Sequence, residues 1–423
     1  MKTVFFTCMP MFVCLFWSVM LTIDLSIHFR RVDTRQPDTK YLPKLCLLLF
    51  MLTAVVLYFG HCVFFAHDIA FIPLSDTLYS MANLAVFPLY YFYICSLTVR
   101  HRDWKLLSLL LLPALIGGCC VGSFYMMMSQ QETATFIDHY LYHGQRIGST
   151  GLVACQTFVH DLCKMAFAFL VVPVFFYGRR NIQRYDNLVN CTYADTEEKS
   201  LASLHYMFIV FVAVSALSFA VNIVGRHQFD ETPWMLALSS TVFSALLFTI
   251  GYVGYHQQFC IHDIEQDEKQ ADAVASVLPN IGDLRIRIEQ LVEKEELFRQ
   301  PNFKIVDLVQ QLGTNRNYIY QAINREMGTS FNEYVNRLRV DYASRLISTY
   351  PDMSLVEVQE LSGFNSSTTF YRNFKHYKGA SPKEYKTKQR GREITVSSVA
   401  SASRQNENYV FTMRKHSFET AKT

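Results

Sequence analysis

The chain has 423 residues, of which 51% are hydrophobic, 14% aromatic and only 18% charged, with a formal net charge of +3. That length suits two or three domains, and that composition excludes a disordered or strongly charged chain. Eleven cysteines without a CxxC pair, most of them inside apolar runs (Cys14, Cys46, Cys62, Cys95, Cys163), exclude a disulfide framework or a cysteine-built metal module.

Up to Tyr255 the chain is dominated by seven largely apolar runs, at about 4–27, 45–65, 78–98, 105–125, 152–177, 204–224 and 234–255. A bilayer core of roughly 30 Å takes about 20 helical residues, and none of the runs alternates as a barrel strand would. A seven-helix membrane bundle is therefore expected over residues 1–255. The connecting segments orient it. Arg30, Arg31, Arg35, Lys40 and Lys44, then Arg100, Arg102 and Lys105, then Arg179, Arg180, Arg184 and Lys199 all fall on one side. Only Lys2, Arg146 and Arg226 fall on the other, so twelve basic residues face three. The positive-inside rule then places the N-terminus outside and everything after Tyr255 in the cytoplasm. Residues 1–27 read as the first span rather than a cleaved signal: the leading charge is a lone Lys2, the apolar run is too long, and Arg30 and Arg31 follow it.

Within the first half, Gly118 and Gly122 have the small-xxx-small spacing of a helix-packing notch. His139 and His143 are four apart in "FIDHYLYHG", but nothing beyond Asp138 completes a metal site, and an interfacial aromatic helix is the expectation. His160, Asp161 and Lys164 lie within the fifth run, about 16 residues or roughly 24 Å from its cytoplasmic end. Charges at that depth face a partner or a cavity. A self-neutralised i, i+3/i+4 group and a signal-ligand site open to the outside are the two readings. Neither a P-loop, a kinase glycine-rich box nor a hydrolase elbow is present, so no cofactor, metal or catalytic activity is expected.

Beyond the membrane part the charge changes sign. Residues 256–300 carry a net −5 and residues 301–390 a net +5, an acidic linker (256–283) ahead of a basic module (284–390) suited to an anionic partner. Ile281, Leu284, Ile288 and Leu291 have helical spacing and face either that module's core or a dimer seam, which leaves a homodimer open. A short helix (304–312), a turn at Gly313 and a second helix from Asn315 with Ile319 and Ile323 inward come next. A longer helix follows, with its stripe at Phe331, Val335, Leu338, Tyr342 and Leu346. The short-helix, glycine, helix pattern then recurs, with Gly363 at the turn and Phe370 and Phe374 inward. Three S-x-x-E sequences, starting at Ser330, Ser354 and Ser381, mark helix starts, the last with Pro382 at the first helical position. The tail from 391 to 423 lacks periodicity and is expected to be disordered.

Residues 284–388 resemble the AraC/XylS-type DNA-binding domain. The resemblance is carried by Leu308, Gly313, Asn315, Ile319, Ile323, Gly328, Arg339, Ala343, Leu346, Gly363-Phe364, Phe370, Arg372, Phe374, Gly379 and Ser381-Pro382. It departs from the family at Val309 and Gln359, where a small alanine is usual, and at Lys304, where a capping Ser or Thr is expected. The resemblance implies two helix-turn-helix units joined by one helix, with Asn315–Glu326 and Ser366–Lys378 entering successive major-groove segments of double-stranded promoter DNA. Arg316, Asn317, Tyr320 and Gln321 on the first, and Ser367, Thr368, Tyr371 and Arg372 on the second, face away from the inward residues and are the candidate base readers. Lys375, Lys378 and Lys383 suit phosphates.

The expected protein is thus all-α, a membrane bundle ahead of a double helix-turn-helix domain. It reads as a multi-pass transcription regulator of a bacterial cytoplasmic membrane that takes an unknown signal ligand. A transporter or enzyme with an appended DNA-binding domain is the alternative.

Overall fold

The computed structural model describes residues 2–29, 41–100, 103–146, 151–196, 199–201, 204–206, 208–213, 215–216, 233–257, 259–272 and 281–391. Among these every regular element is helical, apart from one isolated antiparallel bridge between Tyr193 and Lys304. The chain divides into two compact units. The first comprises Met1–Leu188 with Lys199–Gln266. The second comprises Val189–Glu198 with Asp267–Thr423.

Six helices are long and apolar enough to cross a membrane: Phe5–His28, Leu42–Phe65, Ile72–Thr98, Trp104–Met127, Leu152–Thr192 and Trp234–Lys269. Residues 217–224 of the sixth expected run lie outside the described residues, and Leu204–Ala213 is a shorter apolar helix. Ile72–Thr98 is the central element of the first unit, with 78% of its apolar window buried, against 17–39% for the other five. Its Phe87 and Tyr90 pack among Phe50, Phe208 and Phe211 at ring separations of 5.0–6.0 Å. Offset aromatic packing of this kind is directional as well as apolar. The Gly118/Gly122 notch receives this helix: a Cβ on Gly118 would lie 2.8 Å from that of Met81, and one on Gly122 would lie 3.1 Å from Thr77.

Two expected boundaries shift. The fifth helix does not stop near residue 177 but runs to Thr192, through Arg179, Arg180 and Arg184. Ile182, Tyr185 and Val189 are buried at a helical spacing, so this stretch has an apolar stripe of its own that an apolar-run count does not register. The acidic linker contains a helix, Ile261–Asp272, held by the buried Ile261 and Ile264 and started by Asp263, which accepts the Cys260 N–H at 2.9 Å. Residues 273–280 and the tail beyond 391 lie outside the described residues.

The second unit has two apolar cores. Leu308, Val309, Leu312, Ile319, Ala322, Ile323, Phe331, Tyr334 and Val335 belong to the first. Val340, Ala343, Leu346, Ile347, Val358, Phe364, Phe370 and Phe374 form the second. The helix Phe331–Thr349 serves both, its first half closing one core and its second half the other. Leu284, Ile288 and Val292 also enter the first core, so the helix Ile281–Glu289 faces its own unit.

All three S-x-x-E sequences form reciprocal caps. Each serine N–H donates to the glutamate at 2.8–3.1 Å, and each glutamate N–H donates to the serine hydroxyl at 3.1–3.3 Å. At Lys304, where no hydroxyl is available, Asp307 supplies half of the box by accepting the Lys304 N–H at 2.8 Å. Ser354→Ala should cost about 1 kcal/mol, read as faster amide exchange over 355–361 in the full chain. The Glu333, Glu357 and Glu384 carboxyls are held below the ordinary value of 4.5, first by the serine N–H each accepts. A depressed folded value makes this stabilisation complete above pH 4.5 and lost as pH falls through the folded value, so exchange at these helix starts should accelerate only in acid.

Candidate nucleic-acid interface and membrane polar cluster

The first helix pair is Ile305–Leu312 and Arg316–Gln321, the latter continuing through a wider π-type turn to Glu326. Gly313 turns the chain at φ 63°, and Asn315 caps the second helix by accepting the Asn317 N–H at 2.8 Å. With Ile319 and Ile323 fully buried, Asn317 and Tyr320 are exposed on the opposite face and Gln321 is half-buried. Arg316 behaves differently. Its guanidinium forms an ion pair with Glu268 and donates to the Thr192 hydroxyl at 2.6 Å, leaving its side chain only 12% exposed.

The second pair is Leu355–Leu361 and Ser367–Lys378. Gly363 makes the turn at φ 80° against the Arg299 backbone, where a Cβ would come within 2.6 Å of a carbonyl oxygen; only glycine fits there. Ser366 caps the helix by accepting the Thr369 N–H at 3.1 Å. Phe370 and Phe374 are fully buried, which turns Ser367, Thr368, Tyr371, Arg372 and Lys375 outward. Arg372 makes no ion pair among the described residues, whereas Lys378 is bound to Asp341 at 2.7 Å. Gln359, which replaces the usual alanine, donates to the Phe364 carbonyl at 3.3 Å and accepts from the Ser367 hydroxyl at 2.7 Å. Gln359 thus ties the turn to the start of the helix Ser367–Lys378, and it engages the Ser367 hydroxyl.

Arg339 sits between the two cores with no exposed surface. It donates to the Phe298 and Gln300 carbonyls at 2.7 and 2.9 Å and pairs with Asp195 at 3.0 Å. Burial pulls the guanidinium below its ordinary value and Asp195 opposes that. Residues 191–196 were not expected in this unit. Ala194 is fully buried in the first core, its N–H donating to the Phe303 carbonyl at 3.1 Å and its carbonyl accepting from Asn336 at 3.0 Å.

In the first unit the three polar residues of the fifth helix separate into two groups. Both ring nitrogens of His160 face acceptors, the Gln156 carbonyl at 2.9 Å and Asp76 at 2.7 Å, and Tyr125 donates to the same Asp76 oxygen at 2.9 Å. Asp161 instead pairs with Arg146 at 2.7 Å, accepts from Tyr140 at 2.8 Å and lies 3.7 Å from Lys164, which donates to the Tyr140 hydroxyl at 3.0 Å. The i, i+3 contact expected between Asp161 and Lys164 is present, but His160 does not share it. Asp76 lay just outside the third expected run, and no local spacing links it to His160. His139 and His143 lie 3.9 and 3.7 Å from Asp138, and no group of three metal-ligating side chains occurs among the described residues.

Residues 308–388 match the family model described as a helix-turn-helix domain. An uncharacterized HTH-type transcriptional regulator of Staphylococcus aureus (strain COL) is 25% identical over 100 residues, covering 24% of this chain and 13% of that protein. The Msm operon regulatory protein of Streptococcus mutans serotype c is 27% identical over 85 residues, covering 20% of this chain and 30% of that protein. The chain therefore spans less than a third of the length of either relative. No solved structure matches it.

Proposed function

We propose that this chain is a membrane-embedded one-component transcription regulator, in which a membrane bundle receives a signal and a cytoplasmic double helix-turn-helix unit binds promoter DNA. The observation that carries the reading is the second unit's pair of helices, with apolar faces sunk into separate cores and with Asn317, Tyr320, Thr368, Tyr371, Arg372 and Lys375 turned outward. The helix-turn-helix match and the relatives named as transcriptional regulators support it. Membrane residence is supported by the six apolar helices and by the large apolar side chains on their outer flanks, among them Phe12, Leu112 and Phe169 at 60%, 48% and 72% exposure. Aqueous surfaces rarely carry apolar patches of that extent, and a bilayer covers them.

The reading is tested by selecting duplexes from a randomised pool with the full-length chain in detergent or nanodiscs. A recovered consensus with two half-sites one helical turn apart is the expected result, and recovery of no sequence preference would sink it. A reporter fused after Gln257 should be cytoplasmic; an external reporter would remove access to DNA.

For the signal, the Asp161–Arg146–Tyr140–Lys164 group is the better candidate, because the Asp76–His160 pair is sealed while Arg146 is exposed. Asp161→Asn loosens a partly exposed pair and should change the stability of the first unit by less than about 1 kcal/mol. A loss of transcriptional response at unchanged stability would mark this group as the receiver; an unchanged response would assign it to structure alone.

A further inference from the structure

The two reading helices differ in one respect. The second is open along its outward face, whereas the first carries a piece of its own chain. Arg316 is held by Glu268 and by Thr192, the last residue of the fifth long helix, and both acceptor side chains belong to the second unit. One turn along the same face, the Cys191 thiol meets the side chains of Tyr320 and Asn324. Two of the candidate readers on the first helix, Arg316 and Tyr320, are therefore in contact with residues 191–192.

The segment is anchored rather than merely adjacent. Beyond Thr192, Tyr193 bridges to Lys304 and its hydroxyl donates to Asp267 at 2.6 Å. Lys304 donates to Asp267 at 2.9 Å. Ala194 is buried in the first core, and Asp195 accepts from Arg339 at 3.0 Å and from Asn365 at 3.2 Å. Neutral anchors at Ala194 and ionic ones at Asp195 and Asp267 thus fix the position from which Thr192 and Cys191 reach the helix.

We infer that the first reading helix doubles as a docking site for Cys191, Thr192 and Glu268 of this chain, and that DNA and these residues compete for it. The inference rests on the DNA-binding reading above. The competition follows from chemistry. A carboxylate offers a guanidinium the same paired oxygens as a phosphate and binds it with comparable charge-assisted hydrogen bonds, so Glu268 occupies the donors that DNA would use. Glu268 and Asp267 also add two negative charges beside a face that must approach a polyanion. The end of the fifth helix, packed on Tyr320 and Asn324, fills space that a groove wall would need. In this state the second reading helix is available and the first is partly covered, with Arg316 engaged while Asn317 and Tyr320 stay exposed. Because the cover is the continuation of the membrane helix Leu152–Thr192, a shift in that helix is a direct means of uncovering it.

The test uses the full-length chain in nanodiscs and a duplex of about 30 base pairs selected from a randomised pool. Thr192→Val with Glu268→Ala removes the Thr192 and Glu268 acceptors of Arg316 while leaving the anchors at Ala194, Asp195 and Asp267. Affinity should rise at least tenfold. Arg316→Ala should abolish the gain when combined with the double variant. An unchanged or weaker affinity in the double variant, with Arg372→Ala still costing binding, would overturn the competition and leave the DNA-binding reading standing. Failure of the native chain and the double variant alike to prefer any duplex would overturn both.

Discussion

Arg339→Ala should destabilise the second unit by about 3–5 kcal/mol, the range for removing one partner of a buried ion pair. The guanidinium is fully buried and makes three connections: the Phe298 carbonyl, the Gln300 carbonyl and Asp195. Truncation leaves Asp195, itself 13% exposed, without its cation and leaves two carbonyls short of a donor. It also removes a large side chain from the ring face of Phe364, where the guanidinium sits 5.6 Å from the centroid. Asp195→Asn should cost less, because Arg339 keeps both carbonyls and can still donate to the amide oxygen. Native-state amide exchange across 331–378 in the full chain reads both variants. A loss of under about 1 kcal/mol for Arg339→Ala would mean that water or a neighbouring group replaces the network.

Arg372→Ala should lower affinity for the selected duplex by about 5- to 150-fold, corresponding to about 1–3 kcal/mol for a bidentate base contact. The fold should be unaffected, since Arg372 is exposed and makes no ion pair among the described residues, while its helix is held by Phe370 and Phe374. Arg372→Lys keeps the charge but not the planar fork, and should recover non-specific binding without recovering preference. The salt dependence separates the two roles. A phosphate contact lowers the slope of log affinity against log salt by about one, whereas a base contact leaves it nearly unchanged. Equal affinity of the variant and the native chain, for selected and random duplexes, would exclude Arg372 from the interface.

The helix map of the second unit was legible because its determinants are local. Ile319 with Ile323 and Phe370 with Phe374 are four residues apart, and each S-x-x-E cap is complete within four residues. The features that escaped are non-local. Asp76 and His160 meet across 84 positions, and Asp195 and Arg339 across 144. Neither pair leaves a periodic trace. The end of the fifth helix is hidden in the sequence for a different reason. Arg179, Arg180 and Arg184 end an apolar run without ending a helix, because straight-chain residues tolerate helical geometry well and Ile182 and Tyr185 still bury one face. The sequence placed Arg316 on an outward face, and its position on the helix is as expected; its partners, Thr192 and Glu268, are distant in the chain and could not be anticipated from spacing.

The ion pair between Asp195 and Arg339 also has a topological meaning. Two side chains 3.0 Å apart cannot lie on opposite sides of a bilayer. If the apolar helices occupy a bilayer, the chain between these residues must cross it an even number of times. The helix Pro233–His256 by itself gives an odd count. Two runs, at about 204–224 and 234–255, give an even one. Parity, which owes nothing to hydropathy or to the distribution of basic residues, thus keeps Asp195 and Arg339 on one side of such a bilayer.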